Sequence, residues 1–245
     1  TETSAMTDLL FHTDSYLKEF DAEVQAINEE IHAILLSRTA FFPGVGCQPY
    51  DKGILTTETG TFPLVRARYG VEGVWHILAP EAALPRVGSV VHGELDWDLR
   101  YQHMRTHTAM HVLCGTIFRD FGALVTGGEM EPLHARMDVE FENLHKELVQ
   151  VIEDSVNAEI DKAHDVRVNI LPREEAFQIP DLIRTKINLL PPDIQQIRTI
   201  EIVGLDLQAD GGTHVHNTRE VGHIRVPDYK SKGKINKRIY VELVP

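Results

Sequence analysis

Polar and apolar residues alternate with a period of two along much of the first ninety or so residues. The alternation runs through residues 14–28, 30–37, 61–69, 73–78 and 89–95, with glycine and proline between the segments. A period of two is typical of half-buried strands. Short strands at this spacing predict a small β-barrel or β-sandwich.

The period then changes to that of a helix. Asp96 or Asp98 can cap a helix that runs to about Phe121, where Gly122 is a suitable stop. A second helix is predicted over about residues 144–163, with Asn143 as its cap. Short helical pieces at 172–177 and 180–187 and strands at 198–207, 222–229 and 235–244 complete the pattern. We therefore predict an α+β chain with a β domain over residues 7–95 and an α+β domain over residues 96–245.

Composition narrows the class of protein. Among 245 residues, 42 % are apolar, enough for a packed core, and 24 Lys and Arg against 37 Asp and Glu give a formal charge of −13. That charge argues against indiscriminate nucleic-acid binding. Two cysteines cannot form a disulfide scaffold, so we expect a reducing compartment, the cytoplasm. No apolar run approaches the roughly 18 residues of a membrane span, and the polar N-terminus does not resemble a signal peptide.

The most informative motif is a histidine pair in the first predicted helix. His107 and His111 are four residues apart, so they share one helix face about 6 Å apart. Two imidazoles placed in this way can hold one transition metal. The alternative is a pair of unrelated histidines, because an isolated pair at this spacing is a weak signal.

A second motif follows about a hundred residues later. A predicted strand ends in Gly211 and Gly212, which Asp210 and His214 flank. Both flanking residues can supply metal ligands from a tight turn, with Gln208 and His216 as the alternative ligands. A zincin protease is excluded, because its general base directly follows the first histidine and Thr108 stands there. Cys114 is too far along the helix from His107 to share a ligand shell, and we interpret it as a core residue.

The two motifs together resemble a known family. His-Thr-Ala-x-His, followed by Gly-Gly-Thr-His-Val-x-Asn-Thr-x-Glu-Val-Gly, is similar to the editing domain of alanyl-tRNA synthetase. The pair is still more similar to the free-standing AlaX trans-editing proteins. Residues 38–53, which read RTAFFPGVGCQPYDKG, resemble the family's glycine-rich loop. The resemblance runs from about Asp8 to the end, and the length matches the medium-length AlaX class, without an aminoacylation domain.

The resemblance implies both a fold and an activity. The fold is an N-terminal β-barrel followed by an editing domain of the threonyl/alanyl-tRNA synthetase type. The activity is hydrolysis of the ester between a wrong amino acid, serine or glycine, and the acceptor end of tRNA(Ala). One Zn²⁺ per chain would be held by His107, His111, Asp210 and His214. Two departures stand out: the family usually has cysteine at the position of Asp210, and the loop here reads Gly-Val-Gly-Cys-Gln.

Three further residues are candidates for catalysis. A pocket that hydrogen-bonds the hydroxyl of serine would reject alanine, and Gln48 in the glycine-rich loop and Thr126 in a predicted turn can supply that bond. Each can also be an ordinary structural residue. Arg105 is placed to reach a phosphate, or else to pair with Asp98 or Glu94.

The last predicted hairpin is basic in an otherwise acidic chain. Five cations lie within nine residues, and residues 225–244 carry a local charge of +4 from six Lys and Arg against two carboxylates. These cations are candidates for tRNA phosphates: Lys230, Lys232, Lys234, Lys237 and Arg238. A solvated hairpin tip that lysines protect from edge pairing is the alternative.

Two other functions stay open at this point. One is a non-catalytic module that binds the tRNA acceptor end and carries a structural metal. The other is a metal-dependent hydrolase of small molecules.

Overall fold

The chain folds as an α+β protein with an N-terminal closed β-barrel, which confirms the predicted fold class. We describe residues 6–183 and 194–244 of a computed structural model. The chain divides into two compact units, residues 1–101 and 102–245. The division falls within a long helix. The predicted domain boundary at 95/96 and the roles of the two domains stay predictions.

The first unit is built from eight strands and the start of the long helix. The strands are β1 (Asp8–Leu9), β2 (Glu19–Asn28), β3 (Ala33–Leu36), β4 (Arg38–Thr39), β5 (Gly53–Thr57), β6 (Gly60–Tyr69), β7 (Val74–Leu78) and β8 (Val90–Leu95). Six of them close a barrel in the order β2-β3-β7-β6-β5-β8, while β1 and β4 form a short parallel pair. The period-two pattern located five of these eight strands but missed β1, β4 and β5.

The barrel interior is packed with aromatic and aliphatic side chains. Phe20 and Phe41 meet edge to face with ring centroids 5.4 Å apart. A Cβ on Gly93 would come within 2.5 Å of the Phe20 ring, so this strand position has to be glycine. His76 of β7 is fully buried in the core, and its Nε2 lies 2.8 Å from Thr39 Oγ1. Burial lowers the pKa of His76 to about 4.

A buried ion pair closes the base of the glycine-rich loop. The guanidinium of Arg100 binds the carboxylate of Asp51, and both side chains are fully enclosed. Asp51 also accepts a hydrogen bond from the Phe42 backbone N–H at 2.7 Å, and its own N–H donates to the Phe42 carbonyl. Inside the loop, Gly44 has φ +75°, and a Cβ there would lie 2.8 Å from the Tyr50 nitrogen. The loop therefore begins and ends at fixed points.

The second unit combines helices with two sheets. Helix α1 spans Trp97–Phe121, and the further elements are β9 (Val125–Glu131), β10 (His134–Glu140), α2 (Lys146–Asp161), β11 (Val166–Pro172), α3 (Arg173–Ala176), β12 (Gln196–Ile202), β13 (Asp206–Ala209), β14 (His223–Arg225), β15 (Tyr229–Ser231) and β16 (Asn236–Val244). One sheet has the order β14-β16-β10-β9, with β15 also on β16, and the other has the order β11-β12-β13. Within the described ranges, no helix is both long and apolar enough to cross a membrane.

The helix ends follow local chemistry. Asp96 accepts a hydrogen bond from the Leu99 N–H at 3.2 Å, and Gly122 ends α1 with φ +63°. Both residues were predicted as the cap and the stop. The predicted cap Asn143 is wrong for α2, because His145 is the N-cap and accepts from the Leu148 N–H. Asn157 joins α2 to β14 through both backbone groups of Ile224.

Some predicted elements differ from the structure. The strand expected over 198–207 is a hairpin of β12 and β13, because Gly204, with φ +82°, allows the chain to reverse. The turn expected around Thr126 is part of β9, whose partner β10 the pattern also missed. The helical piece expected at 180–187 lies mostly outside the described residues.

Candidate metal centre

Four side chains from two parts of the second unit converge on one point. His107 and His111 come from α1, while Asp210 and His214 follow β13. One ligand atom from each lies within 4.8 Å of all the others. The three histidines are buried, and Asp210 is partly buried. The structure thus brings together the four residues that the two motifs singled out.

The local backbone places these groups. The helix puts His107 and His111 one turn apart, with ring centroids 5.0 Å apart, and the His214 ring lies 4.2 Å from His107 and 4.6 Å from His111. In the turn, Asp210 Oδ2 accepts the Gly212 N–H at 2.7 Å and lies 3.0 Å from His214 Nε2. Neither glycine of this turn has a positive φ. The aspartate side chain therefore shapes the turn.

Further contacts orient the imidazoles. Thr108 Oγ1 lies 3.1 Å from His214 Nδ1 and accepts the Val215 N–H at 3.2 Å. His107 forms a hydrogen bond with the backbone of Thr213. Histidine ligands of metals usually have the second ring nitrogen held in this way. Thr108 and Thr213 therefore fix the direction in which two of the rings present their nitrogen atoms.

The electrostatics of the cluster favour neutral rings at His107 and His214 beside a carboxylate. Burial lowers the pKa of His107 to about 4. Burial and the nearby His107 lower the pKa of His214 well below its usual value. Burial alone would raise the pKa of Asp210, but the imidazoles of His107 and His214 hold it well below its usual range. At neutral pH these groups are ready to bind a cation without losing a proton.

This donor set fits a zinc-type ion. Neutral imidazole nitrogens and one carboxylate oxygen are the ligands that zinc accepts in a four-coordinate site. Arg198 supports the carboxylate: its Nη1 donates to the Asp210 carbonyl at 2.9 Å and lies 3.9 Å from Oδ2. A second group, Glu19, His92 and Glu94, also brings three possible ligands together on the first unit, but His92 is only half-buried and both carboxylates are exposed.

The alternative ligands lie elsewhere. The Gln208 amide donates to Asp206 Oδ2 and contacts Cys114 Sγ at 3.3 Å. The side chain of His216 is exposed to solvent, and neither residue belongs to the four-membered group. Cys114 is buried, as expected of a core residue.

The three candidate catalytic residues have diverse surroundings. Thr126 is exposed, and its hydroxyl donates to Asn236 Oδ1 at 2.8 Å. Arg105 donates to the Val221 carbonyl through Nη2 at 2.9 Å. Gln48 is buried in the first unit, where it bridges to Val45 in the glycine-rich loop. Their roles in catalysis stay predictions.

The basic hairpin of β15 and β16 contains two kinds of cation. Lys237 is buried, and its amine donates to the carbonyls of Gly233 and Lys234 at 2.7 and 3.0 Å. Arg238 donates to both oxygens of Asp138 at 2.6 and 2.8 Å. The other three cations are exposed and are called the hairpin lysines here: Lys230, Lys232 and Lys234.

Several residues at the cluster were missed by the sequence analysis. In the sequence Thr108 excludes only a protease, and neither histidine motif contains Arg198 or Asp206. Asp206 Oδ2 lies 3.8 Å from His111 Nδ1. Thr108 follows a ligand directly and could have been noticed, but Arg198 and Asp206 meet the cluster only through the β12–β13 hairpin, which the pattern did not predict.

Known proteins resemble this chain over most of its length. The family described as the threonyl and alanyl tRNA synthetase second additional domain matches residues 197–240. An alanyl-tRNA editing protein AlaX-M from Saccharolobus solfataricus is 39 % identical over 242 residues, which cover 98 % of this chain and 100 % of that protein. The AlaX-M protein of Methanosarcina mazei is 36 % identical over 98 % of this chain and 97 % of its own length.

A much longer relative matches through one part of its length. An alanine–tRNA ligase from Ignicoccus hospitalis is 35 % identical over 226 residues, which cover 90 % of this chain but only 24 % of the ligase. The resemblance inferred from the two histidine motifs is thereby confirmed. Since the AlaX-M relatives align from end to end at more than 30 % identity, this chain belongs to the family of AlaX-M alanyl-tRNA editing proteins.

Proposed function

We propose that this protein hydrolyses the ester that joins serine or glycine to the 3′ end of tRNA(Ala). The reaction consumes one water, breaks the bond between the acyl carbon and the ribose oxygen, and releases the free amino acid and an uncharged tRNA. The observation that carries the proposal is the four-residue cluster in a chain whose full-length relatives are named alanyl-tRNA editing proteins.

We further propose that the cluster holds one Zn²⁺ through His107, His111, Asp210 and His214. A bound zinc ion supplies a Lewis acid that polarises a carbonyl or a water. The chain's own residues keep the site ready: burial keeps His107 neutral, and Arg198 holds the backbone of Asp210. An aminoacyl ester is already activated, so accurate placement accounts for much of the required acceleration.

Selection against alanine requires a group that binds the hydroxyl of serine. Gln48 and Thr126 are our candidates, because an amide or a hydroxyl left unpaired by alanine penalises that substrate. Arg105 is our candidate for a phosphate of the acceptor end. Substituting each with alanine tests these roles, and a hydroxyl-binding residue is expected to lose activity on seryl-tRNA more than on glycyl-tRNA.

We propose that the hairpin lysines bind tRNA phosphates. They are exposed, whereas Lys237 and Arg238 already bind carbonyls and a carboxylate within the protein. A local patch of this kind grips one part of a tRNA despite the overall charge of −13.

A deacylation assay with seryl-, glycyl- and alanyl-tRNA(Ala) tests the proposal. We expect release of serine and glycine but not alanine, with loss of activity on chelation and in His107→Ala. His216→Ala is the matched control, because its imidazole is exposed and outside the cluster. A further control is the metal content of His92→Ala. If this variant binds as much metal as the unaltered chain, the metal is not held by the second candidate group on the first unit.

Three results would contradict parts of this proposal. Intact seryl-tRNA at enzyme concentrations near that of the substrate would exclude the hydrolase and favour a tRNA-binding module with a structural metal. Cleavage of small esters that is indifferent to tRNA would favour a small-molecule hydrolase. Full activity of His107→Ala in the presence of chelator would remove the metal from the mechanism.

A further inference from the structure

The imidazole of His111 lies between two carboxylates of one hairpin. Its Nε2 lies 3.9 Å from Asp210 Oδ1, and its Nδ1 lies 3.8 Å from Asp206 Oδ2. Nε2 therefore faces the metal cluster, while Nδ1 faces away from it. Nδ1 is buried and forms no hydrogen bond with any group of the described chain. A buried polar atom in this state needs an explanation, because such atoms are usually paired.

Asp206 is held in place at the first position of β13. Its side chain is fully enclosed, and its Oδ2 accepts a hydrogen bond from the Gln208 amide. Its backbone pairs with Ile202 across the hairpin. Burying a carboxylate is unfavourable unless polar or charged neighbours compensate. Nδ1 of His111, 3.8 Å from Oδ2, is one such neighbour.

Helix α1 has a glycine, without a side chain, at the position beside Asp206. Gly115 lies four residues after His111, so both are on the face that carries His107. A Cβ on Gly115 would come within 2.8 Å of Asp206 Cβ and 3.1 Å of Leu205 Cγ. Glycine within a helix is unfavourable relative to alanine. Its presence at this point allows the carboxylate to approach the helix beside His111.

We propose that Asp206 is a positioning residue for His111. Its carboxylate favours the ring form with the proton on Nδ1, so that Nε2 keeps its lone pair directed toward the metal. The distance of 3.8 Å is beyond the hydrogen-bonding range of about 2.7–3.2 Å, so the carboxylate acts on the ring through its charge. The inference rests on the proposed function, since it presumes that the cluster binds a metal.

Zinc affinity of the full chain tests this role apart from catalysis. We compare the unaltered protein with Asp206→Ala and Asp206→Asn by competition with a chromogenic chelator. Asp206→Ala is expected to weaken binding about 10- to 100-fold. Asp206→Asn is expected to recover part of that loss, because its amide oxygen still presents a partial negative charge to Nδ1. Glu159→Gln is the matched control: Glu159 is also buried but pairs with Arg119 at 2.6 Å, so zinc affinity is expected to stay unchanged.

A second measurement reads the ring itself. In the metal-free protein, nitrogen NMR shifts of His111 report which ring nitrogen carries the proton. We expect the Nδ1–H form in the unaltered chain and a mixture in Asp206→Ala. Gly115→Ala supplies an independent perturbation: it improves helix propensity but displaces Asp206, and we expect weaker zinc binding without loss of folding.

The possible outcomes separate the two proposals. If the unaltered chain binds no zinc, the metal centre and the role of Asp206 are both wrong. If it binds zinc and all Asp206 and Gly115 variants bind it within twofold of the same affinity, only the positioning role is wrong. If Asp206→Ala does not fold, the Asp206→Asn and Gly115→Ala affinities and the His111 shifts decide the question in the same way.

Discussion

The neutral histidine in the barrel core makes the first unit sensitive to acid. Burial lowers the pKa of His76 to about 4, whereas an exposed histidine has a pKa of 6.5. Between these two pH values His76 binds a proton in the unfolded chain but not in the folded barrel. The free energy of unfolding therefore falls as the pH falls from about 6.5 to 4, and rises again with pH.

The size of the effect follows from the difference of about 2.5 between the two pKa values. Each pKa unit is worth about 1.4 kcal/mol, so the full loss is about 3 kcal/mol at or below pH 4. Between pH 7 and pH 5 the expected loss from this single group is about 2 kcal/mol. In His76→Gln the side chain no longer titrates, so this part of the pH dependence disappears.

Urea unfolding at pH 7 and pH 5, with chelator present, measures the difference. Tryptophan fluorescence reports on the first unit, because both tryptophans, Trp75 and Trp97, lie in it. Contributions from the other histidines cancel when the two proteins are compared. His134→Gln, which changes an exposed imidazole, is the control and keeps the full pH dependence. A pH dependence in His76→Gln within about 0.5 kcal/mol of the unaltered chain would refute the reasoning from burial.

Three further perturbations have definite expected results. Asp210→Ala removes the only carboxylate of the cluster and is expected to weaken zinc binding at least about tenfold, as measured by chelator competition; unchanged affinity would exclude Asp210 as a ligand. Replacing the three hairpin lysines by alanine is expected to raise KM for tRNA with little change in kcat. The slope of log KM against log salt concentration is expected to fall by about 2 to 3, because three phosphate contacts are lost. An unchanged slope would mean that tRNA binds at another surface. Gly44→Ala combines a φ of +75° with a 2.8 Å approach to the Tyr50 nitrogen and is expected to cost about 1–3 kcal/mol of unfolding free energy by urea titration. Gly46→Ala has φ +63° but no atom within 4 Å, so a smaller loss is expected there; equal losses would mean that the close approach has no effect.

Local patterns predicted the parts of the site that depend on neighbours in the sequence. The spacing of His107 and His111 required only a helix, and that helix is bounded by Asp96 and Gly122 as the sequence indicated. The alternation of polar and apolar residues likewise located most barrel strands. These features follow from the periods of helix and strand and need no knowledge of the tertiary structure.

The features that the sequence did not predict depend on contacts between residues far apart in the chain. Gly204 turns one predicted strand into a hairpin, and that hairpin brings Arg198 and Asp206 to the cluster. Lys237 counted as one of five cations, yet its amine is turned inward onto two carbonyls. A charge in the sequence does not reveal whether its side chain will be directed toward solvent or toward the backbone.

The buried pair of Arg100 and Asp51 fixes the ends of the glycine-rich loop without using the residues inside it. Asp51 binds Phe42 and Arg100 at the loop's base, so these contacts hold the two ends of the segment from 43 to 50 together. A substitution at the exposed Val45 is therefore expected to leave the strands on either side in register. The exposed part of the loop can therefore vary in sequence independently of the scaffold that carries it.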